Sequence, residues 1–437
     1  MKLEEIYALF TQCSGVSTDT RTIQEGTFFV GLKGPNFDGG AFAEKALESG
    51  AKCVLVNREH ASNNPNIIDV NDTLKTLQDL ANVHRKTWKH HVIGITGTNG
   101  KTTTKELLQS VLSTSFKSYC TAGNFNNHIG LPLTILNAPK EQDFTILEMG
   151  ASKHGDIREL CEIGEPDFGI ITNVGIAHLE GFGSAKTIEK TKMELYKHVD
   201  AHGKGSFWNT DFPQLKPAKT LDTFCSQSAS AFISQITQFL PCITVELKDS
   251  KTGATTEIQT HLTGAYNISN INAVVAIAHY FNIPLNKIQE GLSNYQPSNN
   301  RSQVVTKGEK TFVLDAYNAN PSSVKEAMNN IAEMQKGNFS NPFVLIGDMK
   351  ELGSESLALH QAVVDHCGDL NLSGHFVGTE FDQCKIPSNS SSIQLSKSLS
   401  AGELDRQIGD KDLILVKGSR SMKMDELIAQ TKAFNLD

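Results

Sequence analysis

Gly94-Ile95-Thr96-Gly97-Thr98-Asn99-Gly100-Lys101-Thr102-Thr103-Thr104 decides how the rest of this chain is read. The apolar pair Val92-Ile93 precedes it, and Lys105 to Leu112 follows with apolar residues at helical spacing. That order predicts strand, glycine loop, helix. A loop of this kind aims several backbone N–H groups at one point, and the helix N-terminus adds the positive end of its dipole. A triphosphate fits there, with Lys101 reaching the outer phosphates and Thr102 offering its hydroxyl to magnesium. The strict pattern is Gly, four residues, then Gly-Lys-Thr. Here Ile95 stands at the first position and the extra glycine comes at Gly97, so the loop is a Thr-Gly-x-x-Gly-Lys-Thr variant. A plain glycine-rich turn with a surface lysine is the bland alternative. Gly-Lys-Thr between a strand and a helix argues against it.

A length of 437 residues predicts two to four domains. Hydrophobic content of 39% and charged content of 20% are those of an ordinary globular protein. A net charge of −8 argues against nucleic-acid binding driven by bulk charge. None of the eight cysteines forms a Cys-x-x-Cys pair, so zinc and thioredoxin chemistry are poor readings. Reduced thiols and a cytoplasmic location are expected instead. Met1-Lys2-Leu3-Glu4-Glu5 carries two acids, unlike a secretory signal, and no apolar run approaches the roughly 18 to 20 residues of a membrane span.

The chain alternates strands and helices, which predicts an α/β protein. Three domains are expected: a small α/β unit over 1–85, a central phosphate-loop unit with a mostly parallel sheet over 86–300, and a Rossmann-like α/β unit over 301–437. In the first, 27–32 and 52–56 read as strands, 41–49 and 74–83 as helices. Ser17-Thr18-Asp19-Thr20-Arg21 is dense in hydrogen-bonding groups and reads, on pattern alone, as a capped turn. In the second, the apolar strand 144–150 carries Glu148 near its end, and strand 168–174 is followed by His178. Ligands gather at the carboxyl ends of strands in open α/β sheets, so both side chains are candidates to face the phosphates through a metal. Residues 242–247 suggest an antiparallel portion, 267–281 a helix, and Pro284 with 296–300 loop and linker. In the third, 312–315, 343–348 and 413–420 read as strands, 316–323 as a polar loop, 324–334 as a helix and 388–392 as a surface loop.

Taken together these motifs resemble the Mur ligases of cell-wall synthesis, almost end to end. Ser17 to Arg21, with Leu32-Lys33-Gly34 and Phe37-Asp38-Gly39, looks like the family's UDP-sugar-binding unit, implying contacts from Ser17, Thr18, Asp19, Arg21 and Lys33. Thr96 to Thr103 looks like the family's ATP loop: Thr96, Gly97, Thr98, Asn99, Gly100, Lys101, Thr102 and Thr103. Gly123-Asn124-Phe125-Asn126-Asn127 and His178-Leu179-Glu180-Gly181 are specific matches. In the C-terminal third the matches are Asp315-Ala316-Tyr317-Asn318-Ala319-Asn320-Pro321, Gly347-Asp348-Met349 with Glu351-Leu352-Gly353, and Lys417-Gly418-Ser419-Arg420. The resemblance implies substrate contacts from Asn124, Asn126, Asn127, Tyr317, Asn318, Asn320, Asp348, Lys417, Ser419 and Arg420. Asn270, Arg301 and Asp315 match positions that hold adenine, phosphates and ribose. Three positions depart from the usual pattern: Tyr266 and Gly40, where histidine is usual, and Ala316, where a hydroxyl or thiol is common.

The resemblance implies an ATP-dependent ligase, a monomer, that joins D-alanyl-D-alanine to a UDP-N-acetylmuramoyl-tripeptide through an acyl phosphate. It also implies two magnesium ions, with Thr102, Glu148 and His178 as ligands, and Lys192 carrying CO2 as a carbamate that serves as a further ligand. Lys190 is the second choice for that role, and a solvated lysine on a helix face is the bland reading. The competing readings are a sister ligase adding the third amino acid, a folylpolyglutamate synthase, and a phosphate-loop switch without ligase chemistry. The motifs around Asn126, Asn318 and Ser419 speak against the first two. In a switch, Glu148, His178 and Lys192 would share no task.

Overall fold

The structure, a computed structural model, describes residues 1–435 apart from Leu240, Asn299, Asn338, Asn389 and Ser391. Asn299 of the expected linker and Asn389 and Ser391 of the expected surface loop therefore lie outside the described residues.

The strand before the phosphate loop is His91–Thr96, buried along almost its whole length. It sits inside a ten-stranded sheet, between Phe144–Glu148 and Phe168–Ile171. Six neighbouring strands run parallel, from Ser118–Cys120 at one edge through Gly205–Asn209 to Thr220–Phe224. The sheet then continues antiparallel through Phe232–Gln238, Thr244–Asp249 and Thr255–Gln259, as expected near 242–247. Both flanking strands of His91–Thr96 come later in the chain and reach it from opposite sides. That makes its carboxyl end a topological switch point, where a crevice opens. Register puts Ile95 beside Glu148 and Thr96 beside Ile171.

Alternate residues of these strands face opposite layers, because side chains alternate across a sheet. Ile93, Ile95, Ile146 and Ile170 meet helices Lys101–Leu112 and Asn267–Tyr280. Val92, Leu147 and Ile171 meet helices Gly130–Leu136, Asp156–Gly164 and Ala185–His202. One helix falls where a loop was expected. Pro284, read as a loop marker, is the N-cap residue of Leu285–Asn294. A proline lacks only a donor that a helix start leaves unused. Ile288 and Leu292, four apart, bury that helix against the phosphate-loop helix.

The N-terminal sheet is parallel, in the order Val16–Ser17, Phe28–Val30, Cys53–Asn57, Ile67–Val70. Its core does not stop at the unit's edge. Ile6, Phe10, Phe28, Leu55, Leu77 and Leu80 belong to the same buried cluster as Leu131, Ile135, Ile157 and Leu160 of the central unit. Helix Thr73–Lys86 is the joint, longer than expected at both ends. At its end the buried Arg85 donates to the carbonyls of Gly164 and Glu165 at 3.0 and 2.7 Å and pairs with Asp167.

The C-terminal sheet has six strands, in the order Gln303–Lys307, Lys310–Asp315, Leu413–Lys417, Pro342–Gly347, Ser373–Val377, Ile393–Ser396. Only the first pair is antiparallel. Helices Pro321–Gln335 and Ser356–Asp369 cover one face, and Ala401–Ile408 with Met424–Ala429 cover the other. Helix Pro321–Gln335 starts three residues before its expected position. Asn320 caps it by accepting from the Ser323 backbone N–H at 2.9 Å, and Pro321 fits the first turn.

Candidate active site

A cavity of about 830 Å³ opens above the switch point, walled by the phosphate loop, helix Asn267–Tyr280 and the C-terminal unit. The loop can take its course only with its two glycines. Gly97 and Gly100 have φ of +151° and +77°, and a Cβ would lie 1.9 Å from Thr172 Oγ1 at Gly97 and 2.4 Å from Asn270 Oδ1 at Gly100. Thr96 is buried and donates to the Met149 carbonyl at 2.8 Å. Thr98 exchanges hydrogen bonds with Gly175, and Thr103 lines the cavity. Lys101 curls back to donate to the carbonyls of Gly97 and Thr98, at 2.8 and 2.9 Å. Burial lowers its pKa, against the pull of Glu148 and with the push of Arg301.

Glu148, 1% exposed, is gathered under the loop. Its carboxylate accepts from Thr102 Oγ1 at 2.9 and 3.1 Å and from Asn126 Nδ2 at 2.8 Å. Lys105 Nζ, also 1% exposed, stands 3.7 Å away and donates to the Thr121 carbonyl. Sequence reasoning missed Lys105, since a lysine in the first turns of a helix reads as solvated. Asn124 and Asn127 line the same wall, and Asn127 Oδ1 accepts from the backbone N–H groups of Ile129 and Gly130.

Lys192 reaches the cavity from helix Ala185–His202 and is buried. Its amine makes no hydrogen bond and no close ion pair with any described residue. Burial, then the neighbouring Lys101 cation, press its pKa well below the ordinary value of 10.5. Asp156 and Glu194 pull the other way, but their oxygens already accept backbone N–H groups, from Ser152 and Lys153 and from Arg158. Lys190, on the same helix, is exposed. His178 lines the cavity in a left-handed conformation, and its Nδ1 pairs with Glu351 from the C-terminal unit. Glu351 is a partner the sequence placed in a motif but gave no task.

The C-terminal wall brings Arg301, Asp315, Tyr317, Asn318, Asn320 and Lys417 to the same cavity as Asn270. The Arg301 guanidinium lies 3.6 Å from the Tyr317 ring centroid. Asp315 accepts from the buried Lys417 Nζ at 2.5 Å and from the Ser302 N–H at 3.2 Å. Asn270 bonds Thr104 and Asn267. Tyr266, at a position that departs from the family pattern, hydrogen-bonds Ser302 at 2.9 Å. A second cavity of about 230 Å³ shares Ala177, His178, Asn318 and Asn320 and adds Lys350, Glu351, Ser419 and Arg420.

Other expected site residues stand elsewhere. Asp348 is 1% exposed and lines neither cavity; its carboxylate accepts the N–H groups of Glu380 and Phe381 within its own unit. Ser17, Thr18, Asp19, Arg21 and Lys33 are on the N-terminal unit, outside both cavities. Asp19 caps the short helix Thr20–Thr22 and pairs with Arg21 at 2.6 Å, which holds its carboxyl down to about 2. Lys33 pairs with Glu59. Gly40, another departure, makes room for His60: a Cβ there would lie 2.3 Å from the ring, and His60 Nε2 is 3.0 Å from Asp38. A histidine from a different segment thus reaches the Asp38 carboxylate. Ala316 is buried in the core.

Three family models match in chain order: "Mur ligase family, catalytic domain" over residues 12–86, "Mur ligase middle domain" over 95–278 and "Mur ligase, glutamate ligase domain" over 300–420. The UDP-N-acetylmuramoyl-tripeptide–D-alanyl-D-alanine ligase of Bacillus subtilis is 31% identical, over 96% of this chain and 93% of its own. Among solved structures, the MurF ligase of Thermotoga maritima in complex with ADP superposes with a TM-score of 0.84 at 27% identity, covering 98% of each chain. MurF of Acinetobacter baumannii gives 0.82 at 27% identity, over 95% of this chain and 92% of its own. With its three units, phosphate loop and interdomain cleft, the chain belongs to the Mur ligase family.

Proposed function

We propose that this chain joins D-alanyl-D-alanine to UDP-N-acetylmuramoyl-tripeptide at the expense of ATP, in the synthesis of peptidoglycan. The observation that carries the reading is the Thr102–Glu148–Asn126 cluster at the start of the phosphate-loop helix, in a cavity also lined by the buried Lys192, which has no hydrogen-bond partner among the described residues. The end-to-end likeness to ligases of that name supports it.

A carboxylate does not react with an amine at neutral pH, because oxide is too poor a leaving group. ATP removes the obstacle. An oxygen of the tripeptide's terminal carboxylate attacks the γ-phosphorus, the bond to ADP breaks, and an acyl phosphate forms. The dipeptide amine then attacks the acyl carbon, phosphate leaves, and the amine nitrogen gives up a proton. The loop's backbone N–H groups and Lys101 bind the phosphates; Lys101 exchanges the carbonyls of Gly97 and Thr98 for phosphate oxygens. Arg301, Tyr317, Asp315 and Asn270 hold the nucleoside end, and closure of the C-terminal unit excludes water.

The donor set fits magnesium. Thr102 and Glu148 present hard oxygens side by side, and His178 with Lys192 as carbamate would hold a second ion. Bound there, magnesium neutralises the charge on the transferring phosphoryl group. The carbamate reading rests on the amine itself. CO2 adds only to a neutral amine, and burial with the Lys101 cation nearby favours that form. The same cation then favours the carbamate anion. Lys192 is buried at the cavity while Lys190 faces solvent, which supports the choice of lysine.

The second cavity suits the dipeptide, with Arg420 and Lys350 near for its carboxylate. The N-terminal unit, through Ser17 to Arg21 and Lys33, takes the UDP end. We read the enzyme as a monomer on the strength of the family resemblance, and its free thiols and nucleotide substrates suit the cytoplasm. Among the described residues no helix is long and apolar enough to cross a membrane. Incubation with ATP, the UDP-tripeptide and D-alanyl-D-alanine should give the UDP-pentapeptide by mass, with phosphate release that needs both acceptors. Phosphate release without either would favour a nucleotide switch.

A further inference from the structure

Asn99 is gripped twice. Its backbone belongs to the central unit: its N–H donates to Asn173 Oδ1 at 2.9 Å, and its carbonyl accepts from Thr172 Oγ1 at 2.6 Å. Its side chain belongs to the C-terminal unit. Asn99 Nδ2 donates to Ser322 Oγ at 3.0 Å, Ser322 Oγ donates to Asn320 Oδ1 at 2.9 Å, and Asn320 Nδ2 donates to Asn99 Oδ1 at 2.8 Å. The three groups close a ring in which each donates once and accepts once around the cycle. Rings of this kind strengthen each bond through its neighbours, so removing one member weakens the bonds that remain. Ser322 and Asn320 stand at the start of helix Pro321–Gln335, so the ring can form only when the C-terminal unit is seated on the loop.

We infer that Ser322 and Asn320 are positioning residues for the phosphate loop, supplied by the C-terminal unit through the Asn99 side chain. This rests on the reading of the loop as the nucleotide site. Seating the C-terminal unit fixes the loop's shape, and by linkage a nucleotide that needs that shape favours the seated arrangement. A second interdomain bond, from Asn330 Nδ2 to Thr263 Oγ1 at 2.9 Å, joins the same units without touching the loop and serves as the control.

The test uses the full chain, with hydrogen exchange of amides 97–100 in the ligand-free protein and ADP affinity by calorimetry. Ser322→Ala should speed exchange of those amides and weaken ADP by about fivefold or more. The double variant should match Asn99→Ala within roughly twofold, since Asn99→Ala alone already leaves Ser322 without its partner on the loop. Thr263→Val loosens the seating without freeing the Asn99 side chain, so it should speed exchange at 97–100 less than Ser322→Ala does, and its effect should add to that of Ser322→Ala. Additive losses from Asn99→Ala and Ser322→Ala, or unchanged loop exchange in Ser322→Ala, would overturn the inference. Lys101→Ala separates it from the reading beneath: ADP affinity surviving there overturns the nucleotide assignment, while the ligand-free exchange result decides the ring by itself.

Discussion

The central unit meets its two neighbours by opposite means. Towards the N-terminus, Leu77 and Leu80 of helix Thr73–Lys86 share one buried cluster with Leu131, Ile157 and Leu160. Towards the C-terminus no buried apolar cluster crosses, among the described residues: the central clusters end at Tyr295 and the C-terminal ones begin at Phe312. That boundary is held by the Asn99 ring, the Asn330–Thr263 and Tyr266–Ser302 bonds and the His178–Glu351 pair. Water can replace each polar partner at small net cost, whereas exposing the apolar joint has no such substitute. One joint is therefore fixed and the other able to open, and the cleft with the phosphate loop lies at the second. Substrates must enter and leave there.

The sharpest break of this contrast concerns which joint carries the chemistry. Lys101→Ala should cut turnover by on the order of 10³-fold while circular dichroism and melting stay close to the parent's. Near-normal turnover in a folded variant would move the chemistry out of the cleft. Lys192→Ala should lose about 10²-fold, with part restored by short carboxylic acids that occupy the vacated ligand position, and Lys190→Ala should lose little. Full activity in Lys192→Ala removes the carbamate from the account.

Unfolding in urea compares the joints directly. Leu80→Ala, at a fully buried position of the fixed joint, should lower stability by about 2–5 kcal/mol. Thr263→Val at the polar joint should lower it by only about 1 kcal/mol. Equal losses would erase the distinction. The same shared core changes how the uridine end is tested. Deleting residues 1–85 would bare Leu131, Ile157 and Leu160, so point substitution of the exposed Arg21 is the informative variant.

The smallest effect is on stability against pH. Lys192 has a lowered folded pKa, so between that value and 10.5 the unfolded chain binds a proton that the folded one lacks. Stability then rises with pH through that window. Lys192→Met should be more stable than the parent by on the order of 1 kcal/mol at the lower end, with the gap closing as pH approaches 10.5. A gap that does not change with pH would place an ordinary lysine at 192.

Much of the site was legible because it is local. The loop, Glu148 at a strand end and the Asn126 motif lie in short stretches whose order fixes their geometry. Lys192 was legible in a way the motif alone did not use: Ile188, Lys192, Leu195 and Val199 follow one helical stripe, which turns the lysine inward. What was not legible depends on contacts far apart in sequence. Lys105 looks solvated until Thr121 and Glu148 close over it. Ser322 and Glu351 gain their partners only when the third unit is seated. Asp348 ends a strand like Asp315 does, yet the loop at 378–381 folds back over its carboxylate, whereas Asp315 is left facing the cleft. Helix Leu285–Asn294 was hidden by Pro284, because the same residue that ends helices also starts them.

The acyl phosphate is the step on which everything else rests, and oxygen labelling reads it directly. With 18O in both oxygens of the tripeptide's terminal carboxylate, one labelled oxygen must leave in the released phosphate, because the oxygen that attacks the γ-phosphorus departs with it. One 18O per phosphate is expected, released only with the dipeptide present and at one phosphate per pentapeptide formed. Unlabelled phosphate accompanying pentapeptide formation would contradict it.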